Sequence, residues 1–192
     1  MSLSTRAIAG LGAVVVIGAG TLGGSIAYAS SQPAPIKTQA TVTVGRNSFR
    51  FEPPAACWNG GQPLTDAGNT ACGNLSKNPA QFPVITVNST DRIGVGVDPD
   101  TANNGWRAYT NGGGAQGSAT IASYQKGNTF SGLQPASDVL ATSRDTTLTV
   151  IEFDPKTANS AQPGILGVWF FTLRDNALPP AAAGSQDTST GQ

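Results

Sequence analysis

Large apolar residues alternate with small or polar ones along the central part of the chain, and this alternation restricts the possible folds more than any other feature. It is clearest in three segments, at Ile93, Val95 and Val97, at Leu148 and Val150, and at Trp169, Phe171 and Leu173. A period of two is typical of β-strands, because successive side chains of a strand point to opposite faces of the sheet. The central span is therefore predicted to form strands.

Further short strand patterns fill most of the same span. They are predicted at residues 40–44, 48–51, 82–87, 106–110, 118–124 and 129–133, between clusters of Asn, Gly, Pro and Asp. Outside the N-terminal region no segment has an apolar stripe at helical spacing, although residues 136–142 suggest a short turn of helix. About seven to nine short strands with frequent turn signals predict an all-β fold, a single immunoglobulin-like antiparallel β-sandwich.

Several residues of these strands have predictable packing roles. Gly94 and Gly96 share one face of a strand, which indicates a bulge or the close approach of another backbone. Large aromatic side chains are most often buried, so five of them are predicted to lie in the core rather than on a ligand platform. These five are Trp106, Phe153, Trp169, Phe170 and Phe171.

The N-terminal segment, residues 1–29, has the layout of an export signal. Arg6 precedes an uncharged run at residues 7–24, and Ala27 and Ala29 are small residues at the positions that a signal peptidase reads. We favour cleavage after Ala29. An uncleaved membrane anchor is the competing interpretation, although six glycines in the run weaken a spanning helix. Membrane association is expected only through this segment, and both interpretations place the remaining chain outside the cytoplasm.

Two stretches low in large apolar residues flank the predicted domain. Residues 30–40 are predicted to be a flexible linker and residues 177–192 a disordered tail, which leaves residues 41–176 for the β-sandwich. Loss of residues 1–29 removes Arg6 and leaves ten basic against eleven acidic groups. No basic field then remains that would attract nucleic acid, so nucleic-acid partners are excluded.

The two cysteines, Cys57 and Cys72, are predicted to form a disulfide, because paired cysteines are common in exported proteins. A loop of this size gains about 3 kcal/mol from the constraint on the unfolded chain. A redox-active pair is the alternative, but the spacing is far from C-x-x-C and nothing nearby would lower a thiol pKa. The antibody-type arrangement is not expected, since the two cysteines are too close in sequence to join two sheets across a domain.

Residues 96–106, G-V-D-P-D-T-A-N-N-G-W, raise the question of a metal site. Asp98, Asp100 and Asn103 offer oxygen donors of the kind that calcium prefers. The spacing lacks the later bidentate glutamate of an EF-hand loop, and calcium usually takes about six to eight ligands. Pro99 and Gly105 are also typical turn residues, so a structural turn is favoured and these three residues stay weak metal candidates.

The chain contains no histidine, which excludes Ser-His-Asp and Cys-His catalysis and histidine-ligated metals. No cofactor and no catalytic residue are predicted. Paired carboxylates are the remaining route to catalysis, as in glycosidases, and the candidates would be Glu52, Asp98, Asp100, Glu152 and Asp154. Strand and turn roles explain Glu152 and Asp154 equally well, so an enzyme is not expected.

Short motifs in a fixed order give the chain a family resemblance. They are T-V-T-V-G, A-C-W-N-G-G followed by A-C, V-D-P-D-T-A-N-N-G-W, T-L-T-V-I-E-F-D and G-V-W-F-F-T-L-R, and they cover most of residues 41–174. In this order they resemble a family of small exported actinobacterial proteins, many of them lipoproteins, whose function is unassigned. The resemblance implies an alternating β domain behind an export signal, with cysteines where Cys57 and Cys72 stand. This chain lacks a cysteine at the end of its signal, so lipidation is not expected.

The sequence therefore favours an exported, non-catalytic protein of the cell envelope. Such a module would contact another envelope protein or a cell-wall component through sheet edges and loops. A calcium-assisted carbohydrate binder centred on Asp98, Asp100 and Asn103 is a second hypothesis, and a carboxylate-based hydrolase is a third.

Overall fold

The computed structural model describes residues 38–113 and 117–179. The predicted signal or anchor at residues 1–29, residues 30–37 of the predicted linker and residues 180–192 of the predicted tail lie outside this part. Within it the protein is mostly β, and few residues are helical.

The strands and helices follow one another in a simple order. The strands are β1 (Ala40–Val44), β2 (Asn47–Phe51), β3 (Val84–Val87), β4 (Arg92–Val97), β5 (Trp106–Thr110), β6 (Ala119–Gln125), β7 (Gln134–Pro135), β8 (Asp145–Phe153) and β9 (Ile165–Asp175). The α-helices are α1 (Asp66–Leu75), α2 (Pro99–Asn104) and α3 (Ala136–Val139), and short 3-10 helices lie at Ala55–Cys57 and Pro79–Gln81.

The strands form two sheets, in agreement with the predicted sandwich. The four-stranded sheet has the order β2-β1-β4-β7, and the five-stranded sheet has the order β3-β9-β8-β5-β6. Neighbouring strands are antiparallel at every pairing but one, because the edge strand β3 runs parallel to β9. The prediction of a wholly antiparallel sandwich is therefore wrong at this edge. Residues 88–164 separate β3 from β9 along the chain, so no tight hairpin forces the two strands to be antiparallel.

The main core lies between the two sheets. Alternate residues of β1 and β4 face alternate residues of β5, β8 and β9, as the period of two predicts. Phe51 of β2 contacts Phe171 of β9, with 5.3 Å between ring centroids. All five aromatic side chains predicted to be buried are buried: Trp106, Trp169 and Phe171 belong to the main core, and Phe153 and Phe170 belong to a second apolar cluster on the outer face of the five-stranded sheet.

The close approach predicted at Gly94 is confirmed. A Cβ added at Gly94 would lie 2.7 Å from Cζ of Phe130 and 2.8 Å from the carbonyl oxygen of Gly132. Residues 129–133, predicted as a strand, instead run along the edge of β4 in irregular form, and only Phe130 makes an isolated bridge, to Gly96. The aromatic ring of Phe130 lies on the outer face of β4, where a side chain at position 94 would stand.

Two helices depart from the sequence prediction. The sequence showed no apolar stripe at helical spacing near Cys72, yet α1 forms there with Thr65 as its N-cap, whose hydroxyl accepts a hydrogen bond from the backbone amide of Gly68 at 3.2 Å. The predicted turn after β4 is also a helix, α2, whose N-cap is Asp98 and whose first residue is Pro99. The turn of helix predicted within residues 136–142 is confirmed as α3.

The Gly94→Ala substitution is expected to lower the free energy of unfolding by about 1–3 kcal/mol, because the added methyl group overlaps Phe130 and a backbone carbonyl. Gly73→Ala is the matched control. Position 73 lies within α1 with open space around its Cβ, so this change should raise stability by about 0.5–1 kcal/mol. Urea unfolding of both variants tests the pair, and equal stability of the two would contradict the proposed overlap.

Candidate functional site: the outer face of the five-stranded sheet

The outer face of the five-stranded sheet is covered over only part of its width. Residues 53–83, which include α1 and both 3-10 helices, pack on the side of β8 and β9 that faces away from the main core. Backbone hydrogen bonds fix this covering segment: the amide of Leu64 donates to Ile165 and the amide of Thr172 donates to Pro83. The apolar cluster under it consists of Cys57, Leu64, Cys72, Phe82, Ile151, Phe153, Val168 and Phe170.

The predicted disulfide is confirmed and lies inside the covering segment. Cys57 and Cys72 are joined, and both side chains are buried. The bond ties the 3-10 helix at Ala55–Cys57 to α1, so it holds the two ends of a loop rich in Gly and Asn against the sheet. Disulfides persist mainly in oxidising compartments outside the cytoplasm.

Replacement of both cysteines by serine is expected to lower the free energy of unfolding by about 3 kcal/mol, because the unfolded chain regains the entropy of the open loop. Amide protons of α1 should then exchange faster than those of β1 and β4, since the bond anchors the covering segment alone. Denaturant unfolding and hydrogen exchange measure the two effects. Uniformly faster exchange throughout the domain would show that the bond does not act on this segment in particular.

Strands β5 and β6 keep an uncovered outer face, which carries a groove of about 420 Å³. We call it the arginine groove. Its lining is Arg107, Ala108, Tyr109, Ser118, Thr120, Ala122, Ser123 and Tyr124. A second groove of about 210 Å³, here the apolar groove, lies between α1 and the sheet and is lined largely by Leu64, Cys72, Ile151, Ile165, Val168 and Phe170. Tyr109 lines both grooves, so they share a wall.

Arg107 dominates the electrostatics of this surface. Among the described residues that line the two grooves it is the only charged one. Its guanidinium carbon lies 5.4 Å from the ring centroid of Tyr109 and 5.4 Å from that of Phe153, a cation–π arrangement. In the part of the chain that the structure describes, the guanidinium makes no salt bridge and no hydrogen bond. Its five N–H donors are therefore available to a ligand.

Tyr124 is held at the end of the arginine groove by two contacts. Its ring lies 5.9 Å from the ring of Phe153, centroid to centroid. Its hydroxyl lies over Gly105, a position that has φ of 109° and no room for a Cβ. The glycine that ends α2 thus also makes space for a groove residue.

The calcium candidates lie elsewhere, at the start of α2. Oδ1 of Asp98 accepts a hydrogen bond from the amide of Thr101 at 3.2 Å, and Oδ2 accepts one from the amide of Gln39 at 2.8 Å. Both oxygens thus have backbone donors, while Asp100 and Asn103 are exposed. Over the described residues no cluster of three acidic or cysteine side chains could hold a metal ion. Calcium binding stays a prediction, and the structure gives Asp98 a capping role.

Glu152 is the most unusual carboxylate of the domain, because it is only 3% exposed. It follows Leu148 and Val150 on the inner face of β8 and is paired with Trp106 of β5. Its Oε1 accepts a hydrogen bond of 2.7 Å from Nδ2 of the Asn104 side chain, and Asn104 is the last residue of α2. Within the described chain its Oε2 has no hydrogen-bond partner, and neither has the indole nitrogen of Trp169.

Burial raises the pKa of Glu152 above its ordinary value. The hydrogen bond from Asn104 and the nearby side chain of Thr101 oppose this effect, and the nearby charges of Asp98 and Asp100 add to it. The carboxyl group therefore favours its neutral form more strongly in the folded protein than in the unfolded chain.

Stability is expected to fall as pH rises, through the titration of Glu152. Because the pKa of Glu152 is higher in the folded state, this residue contributes its full stabilisation below its unfolded pKa of 4.5. That stabilisation is lost as pH rises through the pKa of the folded state. Each unit of pKa difference corresponds to about 1.4 kcal/mol. The Glu152→Gln variant should lack this part of the pH dependence, and Glu52→Gln, at an exposed position, is the control. Unfolding free energies measured over this pH range test it, and parallel curves for wild type and Glu152→Gln would contradict it.

The remaining carboxylates that could serve a hydrolase lie outside the two grooves described above. Asp154 lies in the turn after β8, where its Oδ1 accepts a hydrogen bond from the amide of Lys156 at 3.0 Å. Glu52 is exposed next to the end of β2. None of the five candidate carboxylates lines the arginine groove or the apolar groove.

No motif in the sequence marked Arg107, Tyr109 or Tyr124 as a site residue. The alternation in W-R-A-Y-T contained part of the signal, because it places Arg107 and Tyr109 opposite the buried Trp106 and Ala108. It could not show that the covering segment stops before β5.

In the described part of the chain no helix has the length and apolarity that a membrane crossing requires. Comparison of the chain with protein-family models, with curated proteins and with solved structures finds no match.

Proposed function

We propose that this protein is an exported, non-catalytic module of the cell envelope that binds a partner protein in the arginine groove. The observation that carries the proposal is Arg107, an exposed guanidinium within cation–π distance of two rings, without an ion pair among the described residues, in a groove with no other charge among its described lining residues. An exposed set of N–H donors beside aromatic rings on an uncovered sheet face is typical of a recognition surface.

Export is part of the proposal and rests on two features. The first is the signal-like pattern of residues 1–29, followed by a cleavage site or retained as an anchor. The second is the buried disulfide, which is typical of proteins that fold in an oxidising compartment. The same proposal assigns the two-sheet domain to the immunoglobulin-like type. It also assigns the chain to the actinobacterial family that it resembles.

The geometry of the aromatic side chains favours a protein partner over a cell-wall glycan. Sugar rings are usually bound by apolar contact with open aromatic faces. Here the guanidinium of Arg107 lies over the rings of both Tyr109 and Phe153. What the surface offers is a set of N–H donors next to an apolar groove, which suits a polypeptide with mixed side chains.

Site-specific crosslinking in cells tests the proposal. A photoreactive amino acid at Thr120, in the arginine groove on β6, should give one reproducible protein adduct, identified by mass spectrometry. The same amino acid at Arg50, exposed on β2 of the other sheet, should not.

Equal adducts at both positions, or none at either, would overturn the assignment of this surface. An adduct with glycan fragments at Thr120 would show that the partner is a cell-wall component and not a protein.

A further inference from the structure

We infer that the partner presents an extended segment with one carboxylate and one aliphatic side chain about two or three residues apart. The carboxylate pairs with Arg107, and the aliphatic side chain enters the apolar groove beyond Tyr109. This inference rests on the proposed function and gives the chemistry of the same site.

A carboxylate is the group that Arg107 fits best. The guanidinium is planar and donates two parallel hydrogen bonds to the two oxygens of one carboxylate. Its cation–π contacts with Tyr109 and Phe153 restrict the side chain, which lowers the conformational entropy lost on binding. A single cation balances a single carboxylate, whereas a phosphate dianion would call for further donors of positive charge that the described lining does not contain.

The apolar groove has the size and lining for one aliphatic side chain. Its volume of about 210 Å³ is several times the share of a water molecule in the liquid, roughly 30 Å³. Ile151, Val168 and Phe170 form its floor on the sheet, and Leu64 closes it on the side of the covering segment. Burial of a leucine-sized side chain there removes apolar surface from water on both partners.

The spacing of the two groups follows from their shared wall. Arg107 and Tyr109 lie on one face of β5, two residues apart, which is roughly 7 Å along a strand. The apolar groove begins on the other side of Tyr109, over β8 and β9. An extended chain advances roughly 3.3 Å per residue, so two or three residues span this distance.

Short synthetic peptides test the inference on the full chain. The probe is an acetylated and amidated octapeptide of serines with one leucine and one glutamate, placed two or three positions apart. Matched peptides replace the glutamate by glutamine, or the leucine by alanine. Binding is followed by chemical shifts of the protein's amide groups. We expect the probe to shift Tyr109 and its neighbours and to bind about tenfold more tightly than either matched peptide.

Three variants assign each preference to its own groove. Arg107→Gln should abolish the preference for glutamate over glutamine and keep the preference for leucine. Gly73→Leu should do the reverse, because position 73 lines the apolar groove and has open space at its Cβ. Arg50→Gln, on the other sheet, should change neither. Melting temperatures of the variants confirm that each one is folded.

The outcomes separate this inference from the proposed function. Equal affinity for the glutamate and glutamine peptides, or no peptide binding while Thr120 still crosslinks to a protein, would overturn the inference alone. Absence of both peptide binding and the Thr120 adduct would overturn both.

Discussion

The rest of the domain depends on the burial of strands β8 and β9 on both faces. Their inner residues pack against β1 and β4, and their outer residues pack under the covering segment. A strand buried on both sides reads as a nearly continuous apolar run, which describes V-W-F-F in β9. This pair is the fixed element to which the other strands, the disulfide and the grooves are attached.

The role of the disulfide and the position of the grooves both depend on the covering segment, which packs on only part of the five-stranded sheet. Residues 53–83 have few large apolar side chains, so their packing alone gives little free energy of folding, and the bond between Cys57 and Cys72 restricts the alternatives. The cover ends over β8 and β9, and β5 and β6 keep their outer face open. Arg107 is exposed on this face, and its guanidinium carbon lies 5.4 Å from the ring centroids of both Tyr109 and Phe153.

The interior also contains polar groups that packing alone does not explain. Glu152 ends the inner row of β8 beneath α2, and its contact with Asn104 joins that helix to the sheet. A buried carboxyl group is costly when it is ionised, and for this reason burial raises the pKa of Glu152. The buried hydroxyl of Thr110 avoids an unpaired polar group, because it donates a hydrogen bond of 2.6 Å to the carbonyl oxygen of Val139.

The sequence by itself determined most of the strands, the faces of their side chains, the disulfide and the burial of the large aromatic residues. These properties depend on local periodicity and on residue type, which are visible without a structure. It did not reveal α1, because D-A-G-N-T-A-C-G-N-L has no apolar stripe and its helix depends on the Thr65 cap and on contact with the sheet. Only the tertiary structure decided that β3 is parallel to β9, that α2 packs over Glu152, and that Arg107 lies in a half-open groove. Each of these depends on which distant segments meet, and the alternation of side chains along one strand carries no information about what covers its outer face.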